Sequence, residues 1–146
     1  MRIPYSKLPN TSKVLIYQSD REISEKELLI IKQYIDNFSQ NWVTHGKPVR
    51  NTFKVFNYFI CFFIDESLYS TSGCSLDSLV ELIKTIGTRF DIDFFNRNNI
   101  VYLDKLQPKL LSVDNFKLLI QPDVIIYNNL AQSKLDFENH WKVPVK

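Results

Sequence analysis

The longest apolar stretch of the chain, TFKVFNYFICFFID at residues 52–65, is the feature that most constrains the fold. It is too long for one strand of ordinary length, which has about 3–10 residues. Asn57 and Tyr58 near its middle form a weak turn signal. We therefore predict a tight hairpin in which 51–56 pairs with 59–65, and the second strand is central because it is apolar throughout. One long bent strand is the alternative.

A strand and a helix precede this hairpin. KVLIYQ at 13–18 is short, β-branched and aromatic, which is typical of a buried strand. Ser24 followed by Glu27 matches a capping box, in which each side chain satisfies a free backbone N–H at the start of a helix. The spacing of the apolar residues then predicts a helix that ends near Asn41. Its apolar face consists of Leu28, Ile31, Ile35, Phe38 and Trp42.

A second helix and several further elements follow the hairpin. The helix is predicted to begin at Ser75, with Asp77 in its first turn, where a carboxylate suits the helix dipole. NNIVYLD at 98–104 predicts another strand. The rest of the chain predicts a paired strand at KLLS, a short helix over 113–120, a strand over 123–129 and a helical turn opened by Ser133.

The order strand, helix, strand, strand, helix, strand is that of ferredoxin-like domains. We therefore predict an α+β protein with a ferredoxin-like βαββαβ core and a C-terminal β/α extension. Its sheet is expected to have about five or six strands with two main helices on one face. A length of 146 residues predicts a single domain over 1–146.

The charge, hydropathy and cysteines of the chain do not point to a nucleic acid, a membrane or a metal. The formal net charge is only +2 and the basic residues are scattered, so the charge implies neither a nucleic acid nor a membrane. No stretch is apolar enough for a signal peptide or a membrane span. The two cysteines indicate free thiols in a reducing compartment, and we expect a cytoplasmic protein. His45, His140, Cys61 and Cys74 lack metal-ligand spacing, so no metal or cofactor is predicted.

The segment SGCSLDS at 72–78 could carry chemistry. Cys74 and Ser75 are predicted at a helix N-terminus, whose partial positive charge favours a thiolate or an anion. Cys74 is therefore a candidate nucleophile with His45 as its base. Asp77 is the candidate for orienting His45, and Asp65 or Glu66 are alternatives.

The same residues also have two readings without covalent chemistry. In one, the backbone N–H groups around Ser72, Gly73 and Ser75 bind a phosphate or carboxylate. In the other, Ser72 and Ser75 are helix caps and Gly73 supplies a turn. His45 beside Gly46 similarly resembles the C-terminal cap of the first helix.

Segments along most of the chain resemble a family of small proteins from Bacteroidetes. The resemblance lies in NWVTHGKPV (41–49) and FIDESLYSTSGCSLDSLVELI (63–83), with KVLIYQSDREIS, DFFNR (93–97) and IIYNNL (125–130). Members are commonly labelled ABC transporter ATPases, and the resemblance implies no catalytic residue. The label conflicts with the sequence, because ATP hydrolysis of that kind requires a GxxxxGK[ST] P-loop. The chain has no such motif and only three glycines.

The sequence thus predicts a non-catalytic binding or interaction module, and the alternative is a thiol-dependent enzyme that uses Cys74 with His45. A protein partner or a second copy of the chain is expected. RNA or a ribosome is the other alternative, because aromatic side chains on a four-stranded sheet can stack on bases. The candidate rings are Tyr58, Phe62, Phe53 and Tyr102.

Overall fold

The computed structural model describes residues 1–119, 121 and 123–145 of the chain. Within them lie four α-helices: α1 (Glu25–Asn41), α2 (Gly73–Phe90), α3 (Val113–Leu119) and α4 (Lys134–His140). The strands are β1 (Lys13–Gln18), β2 (Val43–Thr44), β3 (Lys47–Pro48), β4 (Arg50–Phe56), β5 (Phe59–Asp65), β6 (Asn99–Asp104), β7 (Gln107–Ser112), β8 (Ile125–Tyr127) and β9 (Lys142–Pro144).

The apolar stretch at 52–65 forms the predicted hairpin. β4 and β5 pair antiparallel from Arg50 opposite Asp65 to Phe56 opposite Phe59. Asn57, in the turn between them, has a φ of 48°, a left-handed conformation that asparagine tolerates better than most residues. β5 lies between β1 and β4 in a three-stranded antiparallel sheet. The hairpin and the central position of β5 are confirmed, and the single bent strand is wrong.

β5 is apolar at every position from Phe59 to Ile64 because it is buried on both faces. Ile60, Phe62 and Ile64 pack into a core that includes residues of α1 and α2. Phe59, Cys61 and Phe63 alternate with these residues and pack into a second core, to which β6, β8 and α4 contribute. Successive strand side chains point to opposite faces, so a strand between two layers has no polar face.

The start of α1 follows the predicted capping box. Ser24 Oγ accepts a hydrogen bond from the Glu27 N–H, and the Glu27 carboxylate accepts one from the Ser24 N–H. The Arg21 guanidinium also donates two hydrogen bonds to this carboxylate. These hydrogen bonds, chiefly those from Arg21, lower the pKa of Glu27 to about 2.

The α+β class is confirmed, but a single ferredoxin-like core is not. β1 and β4 flank β5 as a split βαβ unit requires. β6, the expected fourth strand, instead belongs to a separate four-stranded sheet ordered β7-β6-β8-β9. The outer edge of β1 is partly occupied by a later segment: the Val14 N–H donates to the Gln132 carbonyl, and the Lys134 N–H donates to the Ser12 carbonyl.

The second sheet and α4 cover the face of β5 that points away from α1 and α2. The Trp141 ring lies 4.8 Å from the Phe59 ring and 4.7 Å from the Tyr127 ring, measured between centroids. Phe63 meets Phe137 edge to face at 4.9 Å. The structure therefore has three layers, with the β1-β5-β4 sheet in the middle.

Several predicted boundaries in the second half of the chain shift. The strand expected over 123–129 is confined to Ile125–Tyr127, while the helix opened by Ser133 is confirmed. The short helix expected over 113–120 is present as α3, and residue 120 lies outside the described residues. No helix in the described part of the chain combines the length and apolar character that crossing a bilayer requires.

Candidate functional site

The predicted SGCS site lies where α2 begins, against the small hairpin of β2 and β3. The Ser72 N–H donates to Thr44 Oγ1 at 2.9 Å, and Ser75 Oγ donates to the Val43 carbonyl at 2.7 Å. The indole N–H of Trp42 donates to the Ser75 carbonyl at 3.0 Å. The fold thus brings residues 42–44 next to the start of α2.

α2 begins at Gly73, two residues earlier than predicted. Ser72 is the N-cap, and its hydroxyl oxygen accepts a hydrogen bond from the Ser75 N–H at 3.1 Å. Asp77 therefore lies beyond the first turn, and its expected interaction with the helix dipole there is wrong. The cap and hairpin contacts engage both serine hydroxyls. Ser72 is the predicted cap, but Ser75 lies within the helix and donates to Val43 instead of capping it, and Gly73 is the first helical residue and not a turn. Anion binding here stays a prediction.

Cys74 and His45 are both exposed, but no hydrogen bond joins their side chains among the described residues. α1 ends at Asn41 with Trp42 as its cap, so the assignment of His45 as that cap is wrong. His45 instead occupies the turn between β2 and β3 with a φ of 50°. Thiol chemistry by Cys74 with His45 stays a prediction.

The neighbouring carboxylates are engaged within their own loop. Asp65 forms an ion pair with Arg50 and accepts a hydrogen bond from the Ser67 N–H. Burial raises the pKa of Asp65, but these hydrogen bonds outweigh it and the net pKa is lowered. Glu66 accepts a hydrogen bond from the Thr71 N–H. Neither carboxylate forms a hydrogen bond with His45 in the described part of the chain.

We expect the two cysteines to differ sharply in alkylation by iodoacetamide. Cys74 is exposed, whereas Cys61 is fully buried and burial raises the pKa of its thiol. Because the thiolate is the reactive form, Cys74 should be modified in the folded protein and Cys61 only after unfolding. Peptide mass spectrometry over time measures both rates, with denatured protein as the control. Equal rates in the folded protein would contradict this placement of the cysteines.

A half-enclosed cleft of about 510 Å³ lies beside the outer edge of β1. The Asn129 amide donates to Gln18 Oε1 at 2.8 Å, and Gln18 donates to the Asn99 carbonyl at 3.1 Å. The Trp141 indole N–H completes this chain of hydrogen bonds by donating to Asn129. These hydrogen bonds join β1 to the second sheet. The sequence did not predict them, because the residues lie far apart in the chain.

The unpaired edge of β4 is a second feature that the sequence did not predict. The Asn51 N–H donates to the Met1 carbonyl and the Ile3 N–H donates to the Asn51 carbonyl, so the backbone of Asn51 points away from β5. Backbone direction alternates along an antiparallel strand, and Phe53 and Val55 therefore point their N–H and C=O groups the same way. No other strand in the described part of the chain pairs with them.

Two grooves flank this edge, one on each side of the sheet. The α1-side groove, of about 680 Å³, runs between β4 and α1, where Leu29 and Lys32 form part of its wall. The α4-side groove, of about 460 Å³, is lined by Phe56, Trp141 and Lys142 among others. The unpaired backbone groups of Phe53 and Val55 lie between the two grooves. The two residues are only 9% and 4% exposed, so a partner strand would have to displace part of what covers them.

The side chains around these grooves are mainly basic. Lys32, Lys54 and Lys142 line them and have no carboxylate within 4.0 Å among the described residues. The two lining carboxylates are already engaged, since Asp36 pairs with Arg2 and Glu138 accepts a hydrogen bond from Tyr5. Lys54, a charge between the apolar residues Phe53 and Val55, is the sequence signal that marks an edge.

The rings proposed for base stacking lie inside the fold. Tyr58, Phe62 and Phe53 are buried. Tyr102 is half-buried and packs against Phe116 at a centroid distance of 5.7 Å. The sheet face that RNA stacking would use is therefore covered.

Neither a metal site nor a relative identifies the activity of this fold. Among residues 1–119, 121 and 123–145, no three His, Cys, Asp or Glu side chains are grouped so that they could hold a metal ion. No protein-family model, curated protein or solved structure matches the chain.

Proposed function

We propose that this protein is an interaction module that binds an extended segment of another protein by adding it as a strand beside β4. The observation that carries the proposal is the free edge at Phe53 and Val55, set between the α1-side and α4-side grooves. Strand addition uses main-chain hydrogen bonds for affinity and side-chain pockets for specificity. Both components are present at this edge.

The N-terminal residues supply a precedent within the chain itself. Met1 to Ile3 lie parallel to β4 and form two backbone hydrogen bonds with Asn51. The next outward-facing residues, Phe53 and Val55, would offer the same pair of groups to a partner strand. Unpaired strand edges are usually covered in proteins. Phe53 and Val55 are already 9% and 4% exposed, and a bound segment would supply the missing backbone partners.

The test uses a fluorescein-labelled peptide, Val-Val-Glu-Glu-Val-Val, and measures its binding by fluorescence anisotropy. We expect Val55→Pro to weaken binding at least tenfold, because proline removes the outward N–H of residue 55. Val55→Ala is the matched control: it also shortens the side chain but keeps the N–H, and it should bind as the wild type does. Circular dichroism establishes that each variant is folded.

A second measurement decides the proposal even if Val55→Pro does not fold. The same peptide, N-methylated at alternate residues, cannot donate the hydrogen bonds of a strand on one edge. Two such peptides, methylated in the two alternating patterns, remove the N–H donors from one edge of the peptide strand and from the other edge, respectively. At least one pattern should abolish binding to the wild-type protein. Equal binding of both methylated peptides and the parent would overturn strand addition.

A further inference from the structure

We infer that the partner segment is a short acidic strand in which each face carries one apolar and one carboxylate side chain. The inference rests on the proposed function, and it specifies the partner's chemistry from the charges and shape of the two grooves.

The bound strand has a defined place along β4. Met1 to Ile3 already occupy the edge beside Asn51, so the partner is confined to the stretch from Phe53 to Phe56. Side chains of an added strand alternate between the two faces of the sheet. One set would enter the α1-side groove and the other the α4-side groove.

Each groove combines an apolar surface with a lysine. On the α1 side, Leu29 is 66% exposed and lies beside Lys32. On the α4 side, Phe56 and Trp141 meet edge to face at 5.7 Å, with Lys142 in the same wall. A strand with one apolar and one acidic side chain on each face matches both grooves, which is the pattern Val-Val-Glu-Glu.

The lysines decide the sign of the partner's charge. Lys54 borders both grooves, and its Nζ lies 3.9 Å from the centroid of the Tyr5 ring. Opposite charges near a protein surface attract each other, and salt screens this attraction. Carboxylates on the partner would be attracted to Lys32, Lys54 and Lys142, whereas basic side chains would be repelled.

The same charge disfavours a second copy of the chain as the occupant. Two antiparallel β4 edges that pair Phe53 with Val55 would place the two Lys54 side chains directly opposite each other. Like charges at opposed positions destabilise a strand pair. A lysine in an edge strand is also a common device against self-pairing.

The test compares three peptides that differ only in charge: Val-Val-Glu-Glu-Val-Val, its glutamine version and its lysine version. We expect the glutamate peptide to bind at least tenfold more tightly than the glutamine peptide, and the lysine peptide not to bind. The preference should shrink as salt is added. The variant Lys32→Gln/Lys142→Gln should lose most of it, whereas Lys117→Gln on α3, outside both grooves, should keep it.

The outcomes separate this inference from the proposed function. If all three peptides bind equally and N-methylation still abolishes binding, strand addition stands and the acidic partner is wrong. Tighter binding of an oligothymidine strand than of the glutamate peptide would assign the lysines to phosphate and overturn the inference. A dimer in sedimentation equilibrium that Val55→Pro dissociates would show that a second copy is the occupant, which also overturns it.

Discussion

Replacing Phe62 with alanine will lower the free energy of unfolding by about 3–5 kcal/mol. The side chain is fully buried on the helix-facing side of β5. Its ring meets Phe38 at 6.2 Å and Trp42 at 6.0 Å, both edge to face, and lies 6.0 Å from Phe53. Alanine would remove these contacts and leave a cavity that the surrounding β-sheet and helices fill only in part.

Denaturant unfolding followed by circular dichroism measures this loss. Leu118→Ala is the control, because Leu118 is 82% exposed on α3 and its truncation should change the free energy by less than about 0.5 kcal/mol. Phe63→Ala should cost as much as Phe62→Ala, since Phe63 is equally buried on the opposite face. A large loss for only one of them would contradict the three-layer arrangement.

The elements that the sequence predicted are those whose signal is local. Residues 59–64 are apolar on both faces of β5, which is the pattern of a strand between two layers. Ser24 and Glu27 likewise specify the start of α1 through hydrogen bonds between residues three apart. In these cases the pattern of neighbouring residues contains the physical cause of the structure.

The grouping of strands into sheets was not predictable in this way. The strand at 98–104 has the same apolar character whether it pairs with β1 or with β7 and β8. In the structure it pairs with β7 and β8. The edge of β1 that it was expected to join instead forms backbone hydrogen bonds with Gln132 and Lys134, which lie far along the chain. The start of α2 was misplaced because both Ser72 and Ser75 suit a cap, and only the contact of Ser75 with Val43 separates them.

In the candidate site, too, the sequence predicted the features that depend on neighbouring residues and not those that depend on distant contacts. The sequence predicted the SGCS segment as the start of a helix. In the structure the Ser72 hydroxyl caps that helix, and both Ser72 and Ser75 donate hydrogen bonds to the β2–β3 hairpin. The edge of β4 depends on which strands are absent beside it, which no local pattern determines. The sequence signal for this edge is Lys54, a charge between Phe53 and Val55, and it was not used to predict one.

Gly87→Ala is expected to destabilise the protein by about 2–3 kcal/mol. In an exposed helix the same substitution would stabilise by up to about 1 kcal/mol, because alanine is the better helix former. Here a methyl group on residue 87 would lie 2.5 Å from the Ile92 carbonyl oxygen. The Ile92 N–H donates to the Gly87 carbonyl at 2.9 Å, so the chain after α2 folds back closely over this glycine.

Relieving the clash would move Ile92 and Phe94, both buried in the core beneath α2. Thermal unfolding measures the effect, at about 2–4 °C of melting temperature per kcal/mol for a chain of this size. Gly73→Ala is the matched control, since no atom lies within 4 Å of the added methyl group in the first turn of the same helix. If Gly87→Ala melts as high as Gly73→Ala, the close approach of residue 92 to α2 is wrong, and with it the path by which the chain leaves the helical layer for the second sheet.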